Sequence, residues 1–180
     1  SLCNQSVCCE SPVDSASAEA SDWLLDEFNK ANPGAAAILP MDGYHYDDEV
    51  LIAHDWGGRS QLYCDKAVAL AELGYLGFAL DMYGDAKLGQ NKTENLALLA
   101  PFREQREKVL PRITAALNCA RGLANVDANK IAAIGYCFGG ACVLDLARFN
   151  AEVAGVVSFH GRLLAPENSP TNPLSSKVLI

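Results

Sequence analysis

Three features of the sequence predict an α/β fold in which a mostly parallel sheet is flanked by helices. Short apolar runs without polar alternation (Val50–Ala53, Tyr75–Leu80, Ile131–Ile134 and Val153–Phe159) have the pattern of strands buried on both faces. Segments with helical apolar spacing lie between them, at Gln61–Leu73, at about Thr93–Leu123 and at Gly139–Arg148. Chemically versatile side chains stand directly after the apolar runs, where parallel sheets bind ligands beyond the carboxyl ends of their strands.

The elements follow in order. Residues 1–20 are Ser, Ala, Cys and acidic residues without periodicity, which predicts a disordered leader. Asp22 to Lys30 is expected to be a short amphipathic helix capped by Ser21, with Trp23, Leu24 and Phe28 on its apolar side. Asn32-Pro33-Gly34 stops it, Ala35 to Leu39 reads as a strand, and Pro40-Met41-Asp42-Gly43 as a turn. The regular alternation begins at Val50. The helix from Gln61 closes at Gly74, and the strand from Tyr75 ends at Asp81. Pro101 and Pro111 are expected to interrupt the long helical region, and Val178 opens a fifth strand. Residues 21–180 are therefore read as one partial domain, its sheet incomplete at the C-terminus.

Composition narrows the function. The 180 residues suit a single domain, and half of them are hydrophobic, enough for a core. A formal charge of −8, with 22 acidic against 14 basic residues and no basic cluster, argues against a nucleic-acid partner. The longest apolar runs fall far short of the ~20 residues of a membrane span, and the opening residues lack a signal-peptide pattern. The seven cysteines are odd in number and unevenly placed, and His45, His54 and His160 are scattered. This pattern predicts a cytoplasmic, reduced chain, with a metal in the leader as the lesser alternative.

The most informative motif is Gly135-Tyr136-Cys137-Phe138-Gly139-Gly140, between a strand and a helix. It has the form of a nucleophile elbow with Cys in place of Ser. The turn is tight enough to demand small residues two before and two after the nucleophile, as Gly135 and Gly139 are, and Gly140 lets the helix pack closely. Cys137 would then stand at a helix N-terminus, where the dipole favours thiolate. The alternative is a small buried cysteine in a Gly-rich, phosphate-cradling turn. The second motif, His54-Asp55-Trp56-Gly57-Gly58, follows the first regular strand. It could supply the Trp56 N–H as an oxyanion donor beside that of Phe138, or be a βα turn without a catalytic task. His160 either faces the pocket or is a loop or core histidine. Tyr83 and Asp81 are candidates for the pocket rim, with Asp81 equally suited to capping a turn.

From about residue 50 these stretches, together with Gly74-Tyr75 and Asp81-Met82-Tyr83-Gly84, resemble the dienelactone hydrolase family of α/β-hydrolases. The resemblance implies hydrolysis of a small-molecule ester or lactone by a Cys–His–Asp triad, without metal or organic cofactor. It implies Cys137 as nucleophile and Phe138 and Trp56 as backbone oxyanion donors. Asp55 falls where the family usually has a Glu that holds the resting thiol. Where the enzyme that names the family carries an Arg for the substrate carboxylate, Asp85 stands here, with Lys87 nearby. Residues 161–180 contain Glu167 as their only acid and no His, so the triad Asp and His are expected beyond residue 180 of the parent protein. The rival readings are a non-catalytic binding module of the same fold and a thiol redox or sensor protein. Oligomeric state and substrate identity are not encoded in these patterns.

Overall fold

The computed structural model describes residues 9–10, 37–38, 48–123 and 126–180. Within them β3 (Glu49–Ala53), β4 (Leu76–Leu80), β5 (Ile131–Tyr136), β6 (Gly155–Phe159) and β7 (Lys177–Leu179) form one sheet. Its order is β4-β3-β5-β6-β7, and every neighbouring pair is parallel. The helices are α1 (Gln61–Glu72), α2 (Lys92–Glu104), α3 (Val109–Arg121) and α4 (Phe138–Arg148). A separate two-residue parallel pair joins β1 (Cys9–Glu10) to β2 (Ala37–Ile38), which is all that is described of the strand expected over Ala35–Leu39. The rest of the leader and the helix expected over Asp22–Lys30 lie outside the described residues.

The unalternating strands are explained by burial on both faces. Leu51, Phe78, Leu80, Ile131 and Ala133 join one core cluster with Ile113 and Leu117 of α3 and Val143 and Leu146 of α4. Ile52 and Ala79 point the other way, into a smaller cluster with Tyr63 and Ala67 of α1. Full burial of a side chain such as Phe78, Leu51 or Ile113 contributes about 1.5–3 kcal/mol. The α4 helix is also tied down by charge: buried Asp145 accepts from Arg106 Nε at 2.9 Å and Arg148 Nη1 at 3.0 Å.

The order of the strands creates the crevice. The chain passes from β3 to β4 on one side and then crosses to β5 on the other side of β3. The carboxyl ends of β3 and β5 thus flank a topological switch point, the usual ligand position in such sheets. The register pairs Ala53 with Gly135, so the residues after β3 and after β5 emerge side by side.

Three local expectations are corrected. Pro101 does not break its helix; α2 runs through it to Glu104, and the interruption comes at Gln105, whose φ of −129° leaves the helical region. Pro111 is the third residue of α3, in the first turn, where a missing N–H costs no intrahelical bond. The fourth expected strand starts at Gly155 rather than Val153. Asn150 and Glu152 adopt positive φ there, and Arg121 Nη2 grips the Ala151 and Glu152 carbonyls at 2.9 Å. Of the described cysteines, Cys137 and Cys142 are free thiols. Cys119, expected to be reduced, is disulfide-bonded, a pairing that spacing along the chain does not encode.

Gly139 joins α4 to the sheet: a Cβ there would lie 2.2 Å from the Ala53 carbonyl oxygen and 2.5 Å from that of His54. Both obstacles are backbone and cannot swing aside. Gly139→Ala is therefore expected to destabilise by at least about 1–3 kcal/mol. Gly122→Ala, at a helix-compatible φ of −86° and with nothing nearer than 3.4 Å, should be neutral or stabilise by up to about 1 kcal/mol. Urea unfolding midpoints of the two variants check the contrast.

Candidate active site

Cys137 occupies the single residue between β5 and α4, with φ 53° and ψ −107°. A β-carbon-bearing residue held there stores about 1–3 kcal/mol of backbone strain, and the surroundings over-determine it. Its N–H donates to the Phe159 carbonyl at 2.9 Å, and its carbonyl accepts from Ala141 N at 3.2 Å. A Cβ on Gly135 would lie 2.2 Å from the Gly139 carbonyl, and one on Gly140 2.9 Å from Gly161 Cα. The glycines let the strand, the helix and the turn after β6 converge on one half-buried thiol.

Cys142, one turn further along α4, differs in kind. It is fully buried, and burial first, with the Asp145 charge adding to it, pushes its thiol well above the ordinary value. It stays protonated and packs as a small apolar side chain.

The loop after β3 lies beside Cys137, and nearly all of its polar backbone atoms are engaged. Asp55 N–H donates to Tyr63 Oη at 3.0 Å. The Asp55 carbonyl accepts from His54 Nδ1 at 2.6 Å. The Trp56 carbonyl accepts from Tyr83 Oη at 2.9 Å. Gly57 N–H donates to Asp55 Oδ1 at 2.8 Å, and the Gly57 carbonyl accepts from Gly89 N at 3.0 Å. Among the described residues, the Trp56 N–H is the one backbone donor of Asp55–Gly57 without a partner, and the Phe138 N–H at the start of α4 has none either.

Asp81 organises the neighbouring loop as a turn cap. Its Oδ1 accepts from Tyr83 N at 2.9 Å and Gly84 N at 3.0 Å, and its Oδ2 from Ala86 N at 2.9 Å. Burial alone would raise this carboxyl; the backbone N–H groups of Gly84 and Tyr83 that donate to it outweigh burial and hold the pKa below its ordinary value. Tyr83, a candidate for the pocket, is almost fully buried, with its ring stacked on Phe138 at 5.8 Å. Burial, and after it the proximity of Cys142, Asp55, Cys137 and Asp81, raises its phenol well above the ordinary value.

The other expected residues fall at differing distances from this centre. One carboxylate oxygen of Asp55 turns back onto its own loop. His160 is exposed, at a φ of 45° directly after β6. Asp85 also has a positive φ and pairs with Lys87 Nζ at 3.1 Å on the surface. Sequence reasoning assigned no task to His54 or Tyr63, although both bind the Asp55 backbone. The one available signal was a histidine ending an otherwise wholly apolar strand.

A sequence model of the dienelactone hydrolase family matches residues 40–180. The chain belongs to the dienelactone hydrolase family. Among solved structures it is similar to a dienelactone hydrolase-like promiscuous phosphotriesterase from metagenomic libraries. That match has 32% identity and a TM-score of 0.71, covering 76% of this chain and 56% of the other. The fold is also that of the dienelactone hydrolase of Anabaena variabilis, with a TM-score of 0.50 and 24% identity over 65% of this chain and 53% of that one. An uncharacterised Caenorhabditis elegans protein is 41% identical over 68 residues, which are 37% of this chain and 43% of its own. The chain thus spans about half the length of these relatives. Its fold is that of an α/β hydrolase, and among the described residues no helix is long and apolar enough to cross a membrane.

The lowered Asp81 pKa has a definite consequence. A carboxyl whose folded pKa lies below its unfolded one stabilises fully above the ordinary carboxylate range and loses that stabilisation as pH falls through the folded value. Asp81→Asn, which turns an amide toward the Ala86 N–H, is expected to cost about 1–3 kcal/mol at pH 7. Below about pH 4 the unfolding midpoint of the wild type should fall more steeply than that of the variant. Parallel profiles from pH 2 to 7 would show that Asp81 carries no such linkage.

Proposed function

We propose that the full-length protein hydrolyses a small ester or lactone through Cys137. The observations that support this most directly are a strained Cys137 at the N-terminus of α4 and two backbone N–H groups, of Phe138 next to it and of Trp56 in the loop after the adjacent strand, that find no partner among the described residues. In this reading the thiolate Sγ attacks the carbonyl carbon, and the π electrons move onto the carbonyl oxygen. The Phe138 and Trp56 N–H groups stabilise that oxyanion, each donor contributing about 2.7–4 kcal/mol to the transition state. Collapse of the intermediate re-forms the C=O bond and breaks the C–O bond of the leaving alkoxide, which takes a proton. Water then attacks the thioester, releasing the acid and restoring the thiol.

The proton carriers of that cycle, the triad Asp and His, are proposed to lie beyond residue 180 of the full-length protein. Asp55 is proposed as the carboxylate that meets the resting thiol. The proximity of both Asp55 and Cys137 to the Tyr83 phenol supports their convergence. Because Asp85 is paired with Lys87 on the surface, a substrate without a carboxylate at that position suits this site better than a dienelactone. The partner is a small molecule, and a cytoplasmic setting remains part of the proposal.

The test is pre-steady-state p-nitrophenyl acetate hydrolysis by the full-length protein, with substrate in excess. A burst of p-nitrophenolate equal to the enzyme concentration is expected, with trapped acyl-enzyme at Cys137 by mass spectrometry. Cys137→Ala should remove the burst and lower kcat/KM by at least about 100-fold. An unchanged burst in that variant excludes Cys137 as nucleophile.

A further inference from the structure

We propose that His54 is the positioning residue of the oxyanion site, fixing the peptide between Asp55 and Trp56 so that the Trp56 N–H faces the thiol. This inference rests on the proposed hydrolysis through Cys137 and adds to it the group that sets one of its two donors. The argument begins with the tautomer. A backbone carbonyl only accepts, so the 2.6 Å contact with the Asp55 oxygen places a proton on Nδ1. A backbone N–H only donates, so the 3.0 Å contact with Met82 N requires a lone pair on Nε2. The ring is thus the neutral Nδ1–H form, defined by two backbone groups from the ends of two adjacent strands.

Peptide planarity carries this constraint to the reacting centre. In a trans peptide the carbonyl of one residue and the N–H of the next point in opposite directions. Drawing the Asp55 carbonyl down onto buried His54 therefore turns the Trp56 N–H away from the core. The next peptide is held by Tyr83 Oη on the Trp56 carbonyl, so the intervening unit is restrained on both sides. The His54 ring is fully buried, 4.9 Å from Tyr83 and 6.3 Å from Phe138, centroid to centroid. Phe138, whose backbone offers the second donor, thus packs on the ring that orients the first.

Asparagine and glutamine at position 54 separate this role from a purely structural one. The Asn amide nitrogen overlays Nδ1 and can still donate to the Asp55 carbonyl. The Gln amide overlays Nε2 and can still accept from Met82 N–H. Each leaves one buried backbone group unpaired, so both should lower Tm to a similar extent. In the full-length protein His54→Gln is expected to slow Cys137 acylation by p-nitrophenyl acetate roughly 10–100-fold, in kcat rather than KM. His54→Asn should stay within about fivefold of wild type. Alkylation of Cys137 by iodoacetamide, which develops no oxyanion, should be unchanged in both.

Equal losses in the two variants, or alkylation falling in step with acylation, would overturn the positioning role. Histidine 15N NMR of the unsubstituted protein gives a test independent of how the variants fold. Protonated Nδ1 and bare Nε2 are expected for His54, and the opposite tautomer overturns the inference. Retention of the burst by Cys137→Ala removes the underlying reading and this inference together. Dependence on Cys137 with no difference between Asn and Gln removes this inference alone.

Discussion

The arrangement depends on one close approach, the N-terminus of α4 against the carboxyl end of β3. Gly139 sits where a single β-carbon would overlap the Ala53 and His54 carbonyls, so the helix can be no nearer and its first turn overhangs the residues after β3. That contact places Cys137 over the switch point between β3 and β5 and brings the start of α4 beside the loop Asp55–Gly57. Gly140 allows a matching approach to Gly161 on the far side. The strained Cys137 backbone is the geometric result of meeting both contacts. Its hydrogen bonds to Phe159 and Ala141 offset that strain, while buried Asp145, held by Arg106 and Arg148, anchors the rest of the helix.

Around this helix the polar groups form two loops that brace each other. Asp81 gathers three N–H groups of its own loop, which positions Tyr83 beneath the loop after β3 and Met82 beside His54. The loop after β3 then engages its carbonyls and most of its N–H groups with Tyr63, His54, Tyr83, Gly89 and its own Asp55. A buried polar group left unpaired costs about 1–3 kcal/mol, so such loops normally engage all they have. Among the described residues the Trp56 N–H is the one donor of Asp55–Gly57 left unengaged, and the oxyanion proposal rests on it.

The α/β class, the parallel sheet and the position of the elbow were legible in the sequence because each depends on local chemistry. Strands such as Leu76–Leu80 have no polar alternation because both faces are covered. Gly135 and Gly139 bracket Cys137 because nothing larger fits. Boundaries were less legible. The helix passes through Pro101 and ends at Gln105, and β6 starts late because Arg121, far along the chain, holds the preceding carbonyls. The burial of Tyr83 was not legible either, since the phenol's partner is a carbonyl 27 residues away.

By itself, then, the sequence determined the layered α/β architecture, the cysteine at a strand-to-helix turn and the family of the chain. The first two follow from periodicity and from steric demands within a few residues, and the family from the resemblance of its motifs. Only the tertiary structure decided which backbone donors remain unengaged, that Cys142 is an inert buried thiol while Cys137 is half-buried, and that His54 binds the ends of two strands. Those properties arise from hydrogen bonds and burial between segments tens of residues apart. Chain folding creates such relations, and no local pattern records them.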